Sequence, residues 1–239
     1  MGVAPDANLH LFDHAWGTYN GNEPEYYALG MADAKAEGAI VSNNSWGFDD
    51  SQTNDGTQYT ASINAQSYVT YKTNNSLTGA QVLSAFGSLD QDANGRNDIT
   101  NSATAAQWQV YIDSLNSFEE TGVIVFALSN NAGFGDADIS AALPELFDEL
   151  GEAWITVANV DITGTTTQSY TLKSAPCGIT ADYCMAADGN NMLLPGYTGL
   201  THSAGSTYGN ASGSSFAAPQ VSGAIALLSS HFPNHSPAQ

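Results

Sequence analysis

Apolar residues fall into two patterns along this chain, and their alternation predicts the fold. Residues 122–133, GVIVFALSNNAG, form a continuous apolar run that ends in a polar turn, the signature of a central parallel strand buried on both faces. Residues 154–160 repeat it, and residues 39–46, AIVSNNSW, give a third buried strand. Between these runs the apolar positions recur at helical spacing. Residues 23–37 carry Tyr27, Leu29, Met31 and Ala34 and stop at Gly38, while residues 105–120 place Trp108, Tyr111, Ile112 and Leu115 on one face. Residues 61–71, 77–86 and 142–151 read as shorter helices, residues 2–12 as an entering strand, and residues 170–208 as hairpins. Strands alternating with helices imply an α/β domain with a mainly parallel sheet covered on both faces. At 239 residues one domain is expected, with an insertion at about 48–101.

The last helix begins where a Gly/Ser-rich turn, YGNASGSS, runs into Val221, Ile225 and Leu228 at helical spacing. A serine in such a first turn lies beside unpaired N–H groups and the positive end of the helix dipole, which favours an oxyanion and suits acyl transfer. The alternative is an ordinary N-capping serine. An α/β-hydrolase elbow, G-x-S-x-G, is excluded because Ala217 stands where its second glycine is required.

The string G-S-S-F-A-A-P at residues 213–219 resembles the G-T-S-x-A-x-P signature of the subtilisin-like serine peptidases, with Ser214 in the threonine's place. The resemblance implies a subtilisin-like three-layer fold and makes Ser215 the nucleophile. Residues 41–47 resemble that family's V-I-N-M-S-L-G, which implies that Ser45, Trp46 and Gly47 line a groove where substrate pairs as an added strand, with Trp46 reshaping a subsite. Residues 122–133 resemble the strand ending A-A-G-N, whose asparagine donates to the oxyanion. An ungapped register gives Asn131 that role, and a shift of one gives Asn130.

Residues 2–9 resemble the G-V-A-P-x-A-x-L segment that follows the helix bearing the family's catalytic histidine. No H-G-T-H-like or D-x-G motif occurs, and His10, His14, His202, His231 and His235 all stand in other contexts. The chain therefore reads as a partial catalytic domain cut at both ends. In the family a histidine takes the serine's proton and an aspartate orients the histidine. Losing the base costs about a millionfold in kcat, a figure measured on subtilisin itself. The expectation is an inactive fragment of a serine endopeptidase acting on protein or peptide. The rival reading is a non-catalytic, secreted subtilase-like binding or surface module.

A formal charge of −20 with four Lys and Arg argues against nucleic acid or anionic membrane as partners, and no apolar run is long enough for a membrane span. In DQDANGRND, Asp90, Asp92, Asn94, the Arg96 carbonyl and Asp98 fall at the spacing of an EF-hand-like loop around Gly95. Asn101 replaces the usual bidentate glutamate and Asn97 the usual apolar residue, so a metal-free Asx-rich loop stands beside a structural Ca²⁺ site. No organic cofactor is expected. Cys177 and Cys184 favour a disulfide over two free thiols, and with it export to the cell exterior. Their spacing resembles a cysteine pair of autotransporter subtilases.

Overall fold

The computed structural model describes residues 3–12, 23–47, 64–86, 103–195 and 208–239. In chain order the helices are Glu23–Ala36 (α1), Ala65–Asn75 (α2), Gly79–Phe86 (α3), Ala105–Glu119 (α4) and Ser214–His231 (α5). The strands are Val41–Asn44 (β1), Val123–Ala127 (β2), Trp154–Thr163 (β3), Ser169–Leu172 (β4), Cys184–Ala187 (β5), Met192–Pro195 (β6) and Tyr208–Ala211 (β7). β1, β2, β3 and β5 pair in parallel, in the order β1-β2-β3-β5, and β4 returns antiparallel on the far half of β3. β6 and β7 form a separate antiparallel ribbon just before α5.

The continuous apolar run of β2 divides by alternation between two layers. Val123, Val125 and Ala127 pack with Ala217, Ala218, Val221 and Ile225 of α5 on one face. Ile124 and Phe126, followed by Leu128, enter the larger cluster on the other face with Trp108, Tyr111, Ile112, Leu115 and Phe118 of α4. The result is a helix–sheet–helix sandwich, as the strand–helix alternation predicts. Each large side chain so buried contributes on the order of 2 kcal/mol. α4 starts cleanly because Thr104 and Gln107 form a reciprocal capping box. Gly38, at φ +77°, lies just beyond the end of α1, where a left-handed residue is expected.

Three expectations fail. Residues 184–187, read as part of a hairpin, instead pair in parallel with β3 as β5. Residues 3–12 form a turn and an irregular extension with no ladder partner among the described residues; Val3 instead lies close against Gly223 of α5. Residues 142–151 make only a short 3₁₀ turn at Leu143–Glu145. Burial of Leu143, Leu146, Phe147 and Leu150 gives the helix-like spacing without a helix. Of the expected insertion, only residues 64–86 are described.

Candidate active site

The first turn of α5 is held from three sides. Gly213 donates its N–H to the carbonyl of Gly189 at 3.0 Å, and the Asn159 carboxamide oxygen accepts the Gly189 N–H at 2.9 Å. On the second side, the Asn130 carboxamide oxygen accepts both the Ser214 N–H, at 2.8 Å, and the Ser214 hydroxyl, at 3.0 Å. The third contact is the end of β1. The Ser215 hydroxyl donates to the Ser45 carbonyl at 3.3 Å, and the Ser45 hydroxyl donates to the Ser215 carbonyl at the same distance.

Pro219 explains the second of those bonds. It is the sixth residue of α5, and its missing N–H is the one that would bond the Ser215 carbonyl four residues earlier. The Ser45 hydroxyl supplies the donor that the proline lacks. A feature that normally weakens a helix here links the serine turn to the neighbouring strand end. Asn43 reinforces the link, because its Nδ2 donates to Ser45 Oγ at 2.9 Å and its Oδ1 accepts from Ser222 of α5 at 3.0 Å.

The two asparagines after β2 are placed differently. Asn131 turns back on its own loop, where its Oδ1 accepts the Gly133 N–H at 3.0 Å. Asn130 reaches across to the serine turn. A backbone N–H can only donate, so the atom of Asn130 facing Ser214 is the oxygen, and Nδ2 is left as the donor at the exposed edge of the site. Gly213 leaves room for it, since a methyl group there would approach Asn130 Oδ1 to 3.2 Å.

This geometry has relatives among known proteins. The family model described as the Subtilase family matches residues 1–239. The chain belongs to the subtilase family. An extracellular serine protease of Serratia marcescens is 30% identical over 128 residues, which make up 46% of this subtilase chain and 12% of that relative. Among solved structures, Sphericase is 16% identical, covering 93% of this chain and 54% of its own, with a TM-score of 0.50. Fervidolysin from Fervidobacterium pennivorans, described as a keratinolytic enzyme related to subtilisin, is 22% identical over 90% of this chain and 24% of its own, with a TM-score of 0.49. The subtilase chain thus spans about an eighth of the curated relative and between a quarter and a half of these structures. Its layered, mostly parallel sheet is the subtilisin-like fold.

Within this subtilase Ser45, at the strand end, bonds Ser215, and the Trp46 ring turns to the core. It packs against Tyr27, with centroids 4.8 Å apart, and Phe126, at 5.5 Å, so it shapes the strand end from the core side. The described histidines are remote in bonding. His10 pairs with Asp33 on α1 at 3.0 Å, and His231 lies sixteen residues along α5 from Ser215, about 24 Å at the helical rise. His235 stacks near Phe232. His14, His202 and the expected calcium ligands at residues 90–98 lie outside the described residues. Cys177 and Cys184 form the expected disulfide.

Three supporting residues escaped the sequence reading. Gly189 follows Asp188 and looks like any turn glycine, yet a methyl group on it would come within 2.3 Å of the Gly213 carbonyl and 2.8 Å of the Ala217 nitrogen. Gly189→Ala is therefore expected to cost about 3 kcal/mol and to shift the nucleophile turn, seen as a lower urea midpoint; an unchanged midpoint would show that the turn yields freely. Asn159 lies within an apolar strand, with its carboxamide buried. Asp138 stands two residues after Asp136 in DADISAA and reads as a turn residue, yet it is buried, as acids seldom are without partners.

Burial pushes the Asp138 carboxyl above the usual carboxylate range, against the opposing pull of hydrogen bonds from the Ser129 and Ala141 amides. Burial does the same to Glu119, whose carboxylate accepts the Gly151 and Ala153 N–H groups at 3.0–3.2 Å. A raised folded-state value gives stability that is complete below the unfolded value, about 4, and is lost as pH rises through the folded one. Self-repulsion at a formal charge of −20 acts in the same direction. Urea unfolding is expected to show higher stability near pH 5 than near pH 8, with the difference reduced in Glu119→Gln.

Proposed function

We propose that this chain is the serine-bearing part of a secreted endopeptidase that cleaves protein or peptide by an acyl-enzyme route. Ser215 is the nucleophile, Asn130 and the Ser215 N–H stabilise the oxyanion, and residues 45–47 pair with the substrate backbone. The observation that carries the reading is the meeting, at one point, of a serine in the first turn of a helix packed on the sheet, a carboxamide whose Nδ2 is left to donate, and a strand end. Asn130 takes the role that the ungapped register gives to Asn131, because its carboxamide is bonded to the serine turn whereas that of Asn131 bonds within its own loop.

The base and its orienting carboxylate belong, in this reading, to residues upstream of the 239, and the chain alone hydrolyses peptides negligibly. The disulfide supports export, since such bonds persist in oxidising compartments. A casein or quenched-peptide assay of the chain beside its upstream-extended reading frame is the test. Turnover only by the extended form supports the reading. Turnover by the chain alone, removed by Ser215→Ala, would place a base within these residues, and an inactive extended form would leave the non-catalytic binding module.

A structural calcium ion at Asp90, Asp92, Asn94, Arg96 and Asp98 belongs to the same reading, on ligand spacing alone. Chelation is expected to lower the melting temperature by several degrees, restored by Ca²⁺ but not Mg²⁺. A chelator-insensitive melt would leave the metal-free loop.

A further inference from the structure

Two strand ends flank the serine turn, residues 45–47 after β1 and residues 128–130 after β2, and one buried side chain bonds the second and lies near the first. Asp138 Oδ2 accepts the Ser129 N–H at 2.7 Å, immediately before Asn130. Its Oδ1 accepts the Ala141 N–H at 3.2 Å, and the Ser140 side chain also bonds the carboxylate. Across the cleft, Gly47 lies so near that a methyl group on it would sit 3.4 Å from Asp138 Oδ1 and 3.2 Å from Ser140 Oγ. Asp138 itself is only 3% exposed.

We propose that Asp138 is a positioning residue that sets the spacing between the substrate-pairing strand end and the loop presenting the Asn130 carboxamide. A carboxyl group suits the position because a different oxygen faces each amide, Oδ2 the Ser129 N–H and Oδ1 the Ala141 N–H, whereas a carboxamide has a single accepting oxygen. Its neighbour in sequence, Asp136, is also buried but serves a different element. Asp136 Oδ1 accepts the Ile179 N–H at 2.7 Å and so holds the disulfide loop. Two aspartates on either side of Ala137 thus divide the work. One fixes the cleft and the other fixes the loop beyond it.

This inference rests on the proposed roles of Asn130 and residues 45–47, and the test separates the two. Two-dimensional ¹⁵N NMR of the whole 239-residue chain would follow the Ser129 amide and the Asn130 side-chain signals in Asp138→Asn and Asp136→Asn. The expected result is that Asp138→Asn moves both sets of signals, whereas Asp136→Asn lowers the melting temperature and leaves the Asn130 signals in place. Gly47→Ala, at an exposed position, places a methyl group 3.2 Å from Ser140 Oγ, which itself bonds the carboxylate, and is expected to move the Ser129 amide too. It decides the matter if Asp138→Asn does not fold.

Asn130 signals that ignore both Asp138→Asn and Gly47→Ala, or that respond equally to Asp136→Asn, would overturn the proposal. Titration of the upstream-extended polypeptide with a peptide aldehyde adds the functional side, with binding expected to weaken by about one to two orders of magnitude in Asp138→Asn, the scale of a misplacement of about 1 Å. Failure of the aldehyde to bind the unaltered extended polypeptide would count against the proposed function, while the NMR result on the 239-residue chain still decides the role of Asp138.

Discussion

Ser215→Ala is expected to lower kcat about a millionfold in the upstream-extended polypeptide and to leave the melting temperature of the 239-residue chain almost unchanged. The kinetic figure is the one measured for triad members of subtilisin, which belongs to this same family, and it is transferred from that enzyme. The small effect on stability follows from the local contacts. The Ser215 side chain is half-buried, and its hydroxyl makes one bond of 3.3 Å, to the Ser45 carbonyl, worth less than about 1 kcal/mol. The bond that ties the helix to the strand end runs from the Ser45 hydroxyl to the Ser215 main chain, and alanine keeps it. Activity and stability should therefore separate cleanly. A quenched-peptide assay beside a thermal melt reads both. Retention of more than a small fraction of activity in the purified variant would remove Ser215 from the chemistry, and a large drop in melting temperature would make it a structural cap.

The layers of the fold were legible because they follow from local pattern. β2 and β3 announce themselves as apolar runs, and α4 as a one-faced helix with its cap residues in place. The errors come from spacing that burial alone can produce. Leu143, Leu146, Phe147 and Leu150 all turn inward, as helix residues would, yet beyond the short 3₁₀ turn at Leu143–Glu145 the segment is a series of turns. Residues 2–12 alternate as a strand does, but a strand needs a ladder partner, and sequence periodicity cannot supply one.

The site was legible to the extent that it is contiguous. Ser215 stands in a continuous seven-residue string, residues 213–219, and its role could be inferred from that string. Choosing between Asn130 and Asn131 depends on Ser214, more than eighty residues later, so no local pattern could settle the register. Gly189, Asn159 and Asp138 matter only through distant contacts, and each reads locally as a turn or a strand residue.

Asn130→Ala is expected to lower kcat by about two to three orders of magnitude in the extended polypeptide, roughly 2.7–4 kcal/mol of transition-state stabilisation, with little change in KM. That magnitude was measured on an oxyanion-hole asparagine of subtilisin, a relative in the same family, and is likewise transferred from it. The physical reason is the division of labour within one carboxamide. Its oxygen is committed to the Ser214 N–H and hydroxyl, which fixes the plane of the group and leaves Nδ2 to donate to charge that develops only in the tetrahedral intermediate. Asn130→Asp separates these two jobs. Its carboxylate still accepts from Ser214 but offers no proton and places a negative charge beside the oxyanion, so it should be at least as inactive as the alanine variant while melting closer to the unaltered protein. Asn131→Ala loses only the turn bond to Gly133, at a cost of about 1 kcal/mol, and should keep kcat within a few-fold. Steady-state kinetics on the three variants distinguish the assignments, because the reverse pattern, with Asn131→Ala nearly inactive and Asn130→Ala close to normal, would return the oxyanion role to Asn131.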